Sequence, residues 1–91
     1  MLQTKSIPKE IQIQRLYRVL LFNDDHNKFD DAVSVVMRVF RYSPDRSFAV
    51  VFVAHVQGVS CAERRLPFEI AEHRRNALRS YGFTATLIID E

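Results

Sequence analysis

Ser43-Pro44-Asp45-Arg46-Ser47-Phe48-Ala49-Val50-Val51-Phe52-Val53-Ala54-His55-Val56-Gln57-Gly58 can be read as a helix or as a strand, and the choice decides the fold. Its opening signals a helix. Ser43 is a good N-cap residue, Pro44 suits the first helical position, and Asp45 puts negative charge at the positive end of the helix dipole. Its interior argues for a strand, because the run to Val56 is rich in β-branched residues and continuous apolarity does not separate a buried strand from a buried helix. Gly58 ends the segment on either reading, and supplies a left-handed cap if it is a helix.

The flanking segments are plainer. Leu16 to Phe22 reads as a strand, apolar on both faces except at Arg18, and Asn23-Asp24-Asp25-His26 follows it directly. Phe29, Ala32, Val33, Val36, Val39 and Phe40 recur at threes and fours, which predicts a helix over 29–40 whose first turn carries Asp30 and Asp31. Val59 to Leu66 reads as a second strand with an exposed stretch Glu63-Arg64-Arg65. Pro67 opens a third helix, with Ile70, Ala71, Ala77, Leu78 and Tyr81 as its inner stripe, Glu69, Glu72, Arg75 and Arg79 outside, and Gly82 as its stop. Thr84 to Ile89 closes the series as a strand. With the equivocal segment taken as a helix, the order is β-α-α-β-α-β: one small α+β domain of three strands and three helices.

Composition limits what such a domain does. A chain of 91 residues with 47% apolar content supports a single core, placed over residues 15–91, and the polar opening with Pro8 is expected to be a flexible tail over 1–14. The formal charge is only +2, with basic residues dispersed, so nucleic acid is not the expected partner. No run approaches the ~20 apolar residues of a membrane span, and the first residues lack a secretory core, which reads as cytoplasmic. Cys61 is the one cysteine; it excludes an internal disulfide, argues against a zinc site, and is expected to be a small buried thiol.

The acidic tetrapeptide carries the functional signal. Asp accepts hydrogen bonds only, Asn accepts through its carbonyl, and an ammonium offers three donors, so the cluster suits capture of an amine. An Asx turn between strand and helix would use the same letters.

Tyr17-Arg18-Val19-Leu20-Leu21-Phe22-Asn23-Asp24-Asp25, then His55-Val56-Gln57-Gly58, then Glu69-Ile70-Ala71-Glu72-His73-Arg74 resembles the ClpS family, adaptors of the bacterial Clp protease that recognise N-degrons. The resemblance covers about residues 16 to 89. It implies that Pro44 to His55 is helical and that the fold is similar to the C-terminal domain of ribosomal protein L7/L12. It implies further that Asn23, Asp24 and His55 bind the α-ammonium of a substrate's first residue, with Asp25 supporting the loop. Beside them, Asn27, Phe29, Ala32, Val51, Ala54 and Phe83 would line a pocket for a large apolar first side chain. Asn27 stands where the family often has Thr, Phe29 where it often has Met, and Ala32 and Ala54 are smaller than its usual Val.

The same resemblance implies that Glu69, Glu72 and Arg74 dock on the N-terminal domain of a Clp unfoldase of the ClpA or ClpC type, and that the protein is a monomer without cofactor. The alternative is a regulator of this fold that binds the unfoldase and no longer recognises N-degrons. A hydrolase or metalloenzyme would need a nucleophile turn or a spaced ligand set, and neither motif is present. An RNA-binding domain would need a basic stripe with interleaved aromatics, for which Arg64, Arg65, Arg74, Arg75 and Arg79 give only a weak pattern.

Overall fold

The structure, a computed structural model, describes residues 15–91; the tail expected over 1–14 lies outside them. The elements are β1 Tyr17–Phe22, α1 Phe29–Phe40, α2 Pro44–Gln57, β2 Val59–Leu66, α3 Phe68–Ser80 and β3 Ala85–Ile89. The order is the one read from the sequence. In the equivocal segment the start signal prevails: Ser43 Oγ accepts the Arg46 N–H at 3.2 Å, and Gly58, at φ 91°, closes the helix by donating to the Ala54 carbonyl. Propensity is overridden because Ser47, Val50, Val51 and Ala54, spaced at threes and fours, are all buried on one helical face.

The three strands form one antiparallel sheet in the order β2-β1-β3, with β1 in the middle. Val19 and Leu21 point into the core and are buried, while Leu20 and Phe22 on the other face are half-buried. α2 packs on β2 and β1, α3 packs on β3 and β1, and α1 lies against both helices. Val19 and Leu21 from β1 meet Val36 and Phe40 from α1, Val51 from α2, and Ala71 and Leu78 from α3 in a single core.

Arg18, the polar exception in the first strand, has a structural reason. Asp90, just past β3, accepts from Arg18 Nε at 2.8 Å, from Arg64 Nη2 at 3.3 Å and from the Arg65 backbone N–H at 2.7 Å, and its side chain is only 2% exposed. One carboxylate thus ties all three strands. The hydrogen bond from Arg18 holds the Asp90 carboxyl below its ordinary 3.8, more than offsetting its partial desolvation. The register of β2 slips between Tyr17 and Val19 and again between Val19 and Leu20, and Arg65 has φ 60°; these irregularities accompany the N–H of Arg65 turning to Asp90.

Two expectations are corrected. Cys61 is exposed: Ser60 and Ala62 take the inward positions of β2, and strand alternation sends the residue between them outward. Partial desolvation nevertheless raises its thiol pKa above 9.0, so it stays protonated at neutral pH. In α3, Ile70 and Tyr81 are exposed while Ala71 and Leu78 are fully buried. The buried line runs through 71, 74, 75 and 78, about 100° round from Ile70, with the half-buried side chains of Arg74 and Arg75 at the positions between.

Ser47 Oγ is buried without a hydrogen-bond partner. An unsatisfied hydroxyl in a core opposes folding, so Ser47→Ala is expected to leave stability unchanged or raise it by up to about 1–3 kcal/mol. Thermal or denaturant unfolding checks this, and a clear loss of stability would show that the hydroxyl is satisfied. Among the described residues no helix is long and apolar enough to cross a membrane.

Candidate functional site

The site begins where β1 ends. Phe22 N–H donates to the Thr84 carbonyl at 3.0 Å, and Asn23 N–H donates to the Gly58 carbonyl at 3.0 Å. The second bond joins the acidic loop to the end of α2, three residues beyond His55. Gly58 can offer that carbonyl because its positive φ reverses the chain as the helix stops.

Asp24 then folds the loop. Its Oδ1 accepts from the backbone N–H groups of His26 and Asn27, each at 2.8 Å, and its Oδ2 accepts from Asn27 Nδ2 at 3.0 Å. This is an Asx turn leading into α1. Partial desolvation pushes the Asp24 carboxyl up, and the hydrogen bonds from Asn27 and His26 outweigh it, leaving the group below 3.8 and charged at neutral pH. Asp24, expected at the amine, thus also orders the loop. A carboxylate has about four acceptor positions, so three internal bonds leave room for one more donor.

Asn27 Nδ2 also donates to the Gly82 carbonyl at 3.1 Å, reaching the segment before β3. That segment is fixed by the end of α3. Gly82 N–H donates to the Arg79 carbonyl at 2.9 Å and Phe83 N–H to the Leu78 carbonyl at 3.1 Å, with Gly82 at φ 89°. The pair of bonds is a Schellman cap, which turns the chain so that Phe83 packs inward beside Leu78. One amide side chain, Asn27, connects this cap to the acidic loop.

Between these loops and α2 lies a cavity of ≈ 200 Å³. Asn23, Asp24, Asp25 and His55 line it together with Asn27, Phe29, Ala32, Val51, Ala54 and Phe83, so every position expected at the amine site or in the pocket borders one space. Ala32, Val51, Ala54 and Phe83 are buried, Phe29 is half-buried, and Asn23 and His55 are exposed. The Phe29 ring stands edge-on to the His55 ring at 6.0 Å. Leu21 and Phe22 also line the cavity and were not picked out from the sequence, where they read as ordinary strand residues; their place just before Asn23 was the available signal. The arrangement joins a small apolar space to a carboxylate, a carboxamide and an imidazole.

A family model described as the ATP-dependent Clp protease adaptor protein ClpS matches residues 12–86. The chain belongs to the ClpS family. It is 38% identical over 53 residues to the ATP-dependent Clp protease adapter protein ClpS of Nitratidesulfovibrio vulgaris strain Miyazaki F, an alignment covering 58% of this chain. To the ClpS of strain DP4 of that species it is 34% identical over 67 residues, or 72% of this chain. The chain spans 53% and 62% of the length of these two relatives. The fold is also similar to the solved structure of Agrobacterium tumefaciens ClpS2 bound to L-phenylalaninamide, with a TM-score of 0.78 and 27% identity, covering 86% of this chain and all of that one.

Glu69, Glu72 and Arg74, the residues that the resemblance implied for an unfoldase contact, lie on α3 and have unequal freedom. Glu69 is exposed, Glu72 meets Arg75 at 3.6 Å, and Arg74 is engaged by Glu63 of β2 at 3.4 Å. Arg74 would give up or share that half-buried pair in meeting another protein.

Proposed function

We propose that this chain is an adaptor, without catalysis of its own, that captures the free N-terminus of polypeptides with a large apolar first residue and delivers them to a Clp unfoldase in the cytoplasm. The observation that carries this is one cavity bordered both by Asn23, Asp24 and His55 and by the apolar side chains of Phe29, Ala32, Val51, Ala54 and Phe83. An ammonium entering such a space exchanges water for about three acceptors, and the charged Asp24 supplies the opposite sign. The ligand of the similar ClpS2 fits the same description. L-Phenylalaninamide has a free α-amine, a phenyl side chain and a capped carboxyl, which together reproduce the start of a chain. On this reading Glu69, Glu72 and Arg74 meet the unfoldase N-terminal domain, and the adaptor works as a monomer.

Binding to short peptides that differ only in their first residue, each made with a free and an acetylated N-terminus, tests it. Phe, Tyr, Trp and Leu first residues should bind, Val and Ile should bind about 10-fold or more weakly because their Cβ branch meets the rim, and acetylation should abolish binding. Equal binding of blocked and free peptides would refute amine capture. A regulator that binds the unfoldase alone is the second reading, and it is favoured by the fact that Asp24 already accepts three hydrogen bonds from its own loop. Binding of the unfoldase domain with no peptide bound would decide for it.

A further inference from the structure

The face of α2 that borders the cavity continues beyond it as an exposed aromatic surface. Val51, Phe52 and His55 stand three, four and seven residues after Phe48, so the four share one side of the helix. Val51 and His55 line the cavity, whereas Phe48 is 51% and Phe52 49% exposed. Phe29 bridges the two parts. Its ring lies 5.1 Å from that of Phe48, edge-on, and 6.0 Å from that of His55, and Phe48 in turn stacks at 6.0 Å on Phe52. Four rings thus run in an unbroken series from the amine site across the pocket rim and out along α2. Scattered apolar side chains on a surface are ordinary, but a contiguous aromatic group flanking a cavity is the pattern of a binding surface.

We propose that Phe48 and Phe52 form a second subsite, which holds an apolar side chain from the second or third residue of the polypeptide whose first residue fills the cavity. The inference rests on the amine-capture reading above. Its occupant follows from continuity: a chain whose first side chain sits beside Phe29 must leave over the rim, and an extended chain advances ~3.3–3.6 Å per residue, so about two residues cover the step from Phe29 to Phe48. Two half-exposed rings stacked in parallel offer a flat apolar seat that suits an aromatic or large aliphatic side chain and gives an acidic one nothing to bond. The subsite lies on a different helix from Glu69, Glu72 and Arg74, so substrate and unfoldase would not compete for it.

The test uses the full chain and peptides with a free N-terminal Phe whose second and third residues are Leu, Phe, Ala or Asp, with acetylated versions of each, read by fluorescence anisotropy. The same series is run on the variant carrying Phe48→Ser and Phe52→Ser, whose fold is checked by its thermal melt. Peptides with Leu or Phe at the second or third position should bind the unsubstituted protein about three- to tenfold more tightly than those with Asp. In the double variant that preference should vanish, while free peptides should still outbind acetylated ones. Binding of free peptides with no dependence on the second and third residues, or a dependence that survives the double substitution, would overturn the subsite and leave amine capture standing. Equal or absent binding of free and acetylated peptides would overturn both. If the double substitution instead converts a dimer to a monomer, or weakens the unfoldase N-terminal domain with peptide ranking unchanged, the patch belongs to a second copy or to the unfoldase and the subsite is wrong.

Discussion

Asp24→Ala is expected to weaken the binding of a free N-terminal Phe peptide by about 2–5 kcal/mol, the loss that follows when one partner of a shielded, hydrogen-bonded charge pair is removed. The substitution removes more than charge. Asp24 also accepts from the N–H groups of His26 and Asn27 and from the Asn27 amide, so the alanine variant loses the turn that leads into α1. Asp24→Asn separates these two losses. Its carbonyl oxygen can keep the two backbone bonds while the charge is gone, so the loop should hold and binding should still fall. Calorimetric titration gives the affinity, and hydrogen exchange at the His26 and Asn27 amides reports the loop. If Asp24→Asn binds peptide as the unsubstituted protein does, the countercharge role is wrong and Asp24 serves only the turn. The pH dependence has a definite sign. Because the folded carboxyl lies below 3.8, its contribution is complete above that value and is lost as pH falls through the lower folded value, so loop order should persist at mildly acidic pH.

Element order was legible because each element carries a local signal that its packing reinforces. Ser43, Pro44 and Gly58 mark the ends of α2, and Gly82 marks the end of α3: Ser43 accepts a capping hydrogen bond, Pro44 takes the first turn, and both glycines stand at positive φ. Which side of α3 faces inward was less legible. The apolar letters Ile70 and Tyr81 suggested one stripe, but the core takes the small Ala71 and Leu78 while Arg74 and Arg75, on the same side, are half-buried. Hydropathy does not show that a long basic side chain can lie flat over a core while its charge stays wet. Cys61 failed for a similar reason: residue type suggested burial, and strand phase decided exposure. The residues expected at the site from the acidic loop and the family resemblance border one cavity, whereas the bonds that join them left no trace in the sequence. Asn27 looked like a pocket wall, yet its amide spans from Asp24 to the Gly82 carbonyl, 55 residues away in sequence. Such long-range bonds have no periodicity to reveal them.

Ala54→Leu should separate a pocket from a core by the sign of two effects measured together. Ala54 is buried, which alone would make it look like packing, but its side chain borders the ≈ 200 Å³ cavity. If that space is a vacant seat for a side chain, leucine grows into it without displacing anything. Filling a void gains apolar contact, so stability should hold or rise by about 0.5–2 kcal/mol. Peptides with Phe, Tyr or Trp first should then bind about 10- to 200-fold more weakly, because the seat is occupied. An ordinary core position behaves in the opposite way: added methylenes force neighbours out of their rotamers and cost about 1–3 kcal/mol of stability. Chemical denaturation and peptide titration on the same preparation supply both numbers. Reduced stability with peptide affinity unchanged would mean that Ala54 is packing and that the apolar seat lies elsewhere. Retained stability with selective loss of the largest first residues would fix the depth of the pocket at α2, one residue from His55, which borders the same cavity.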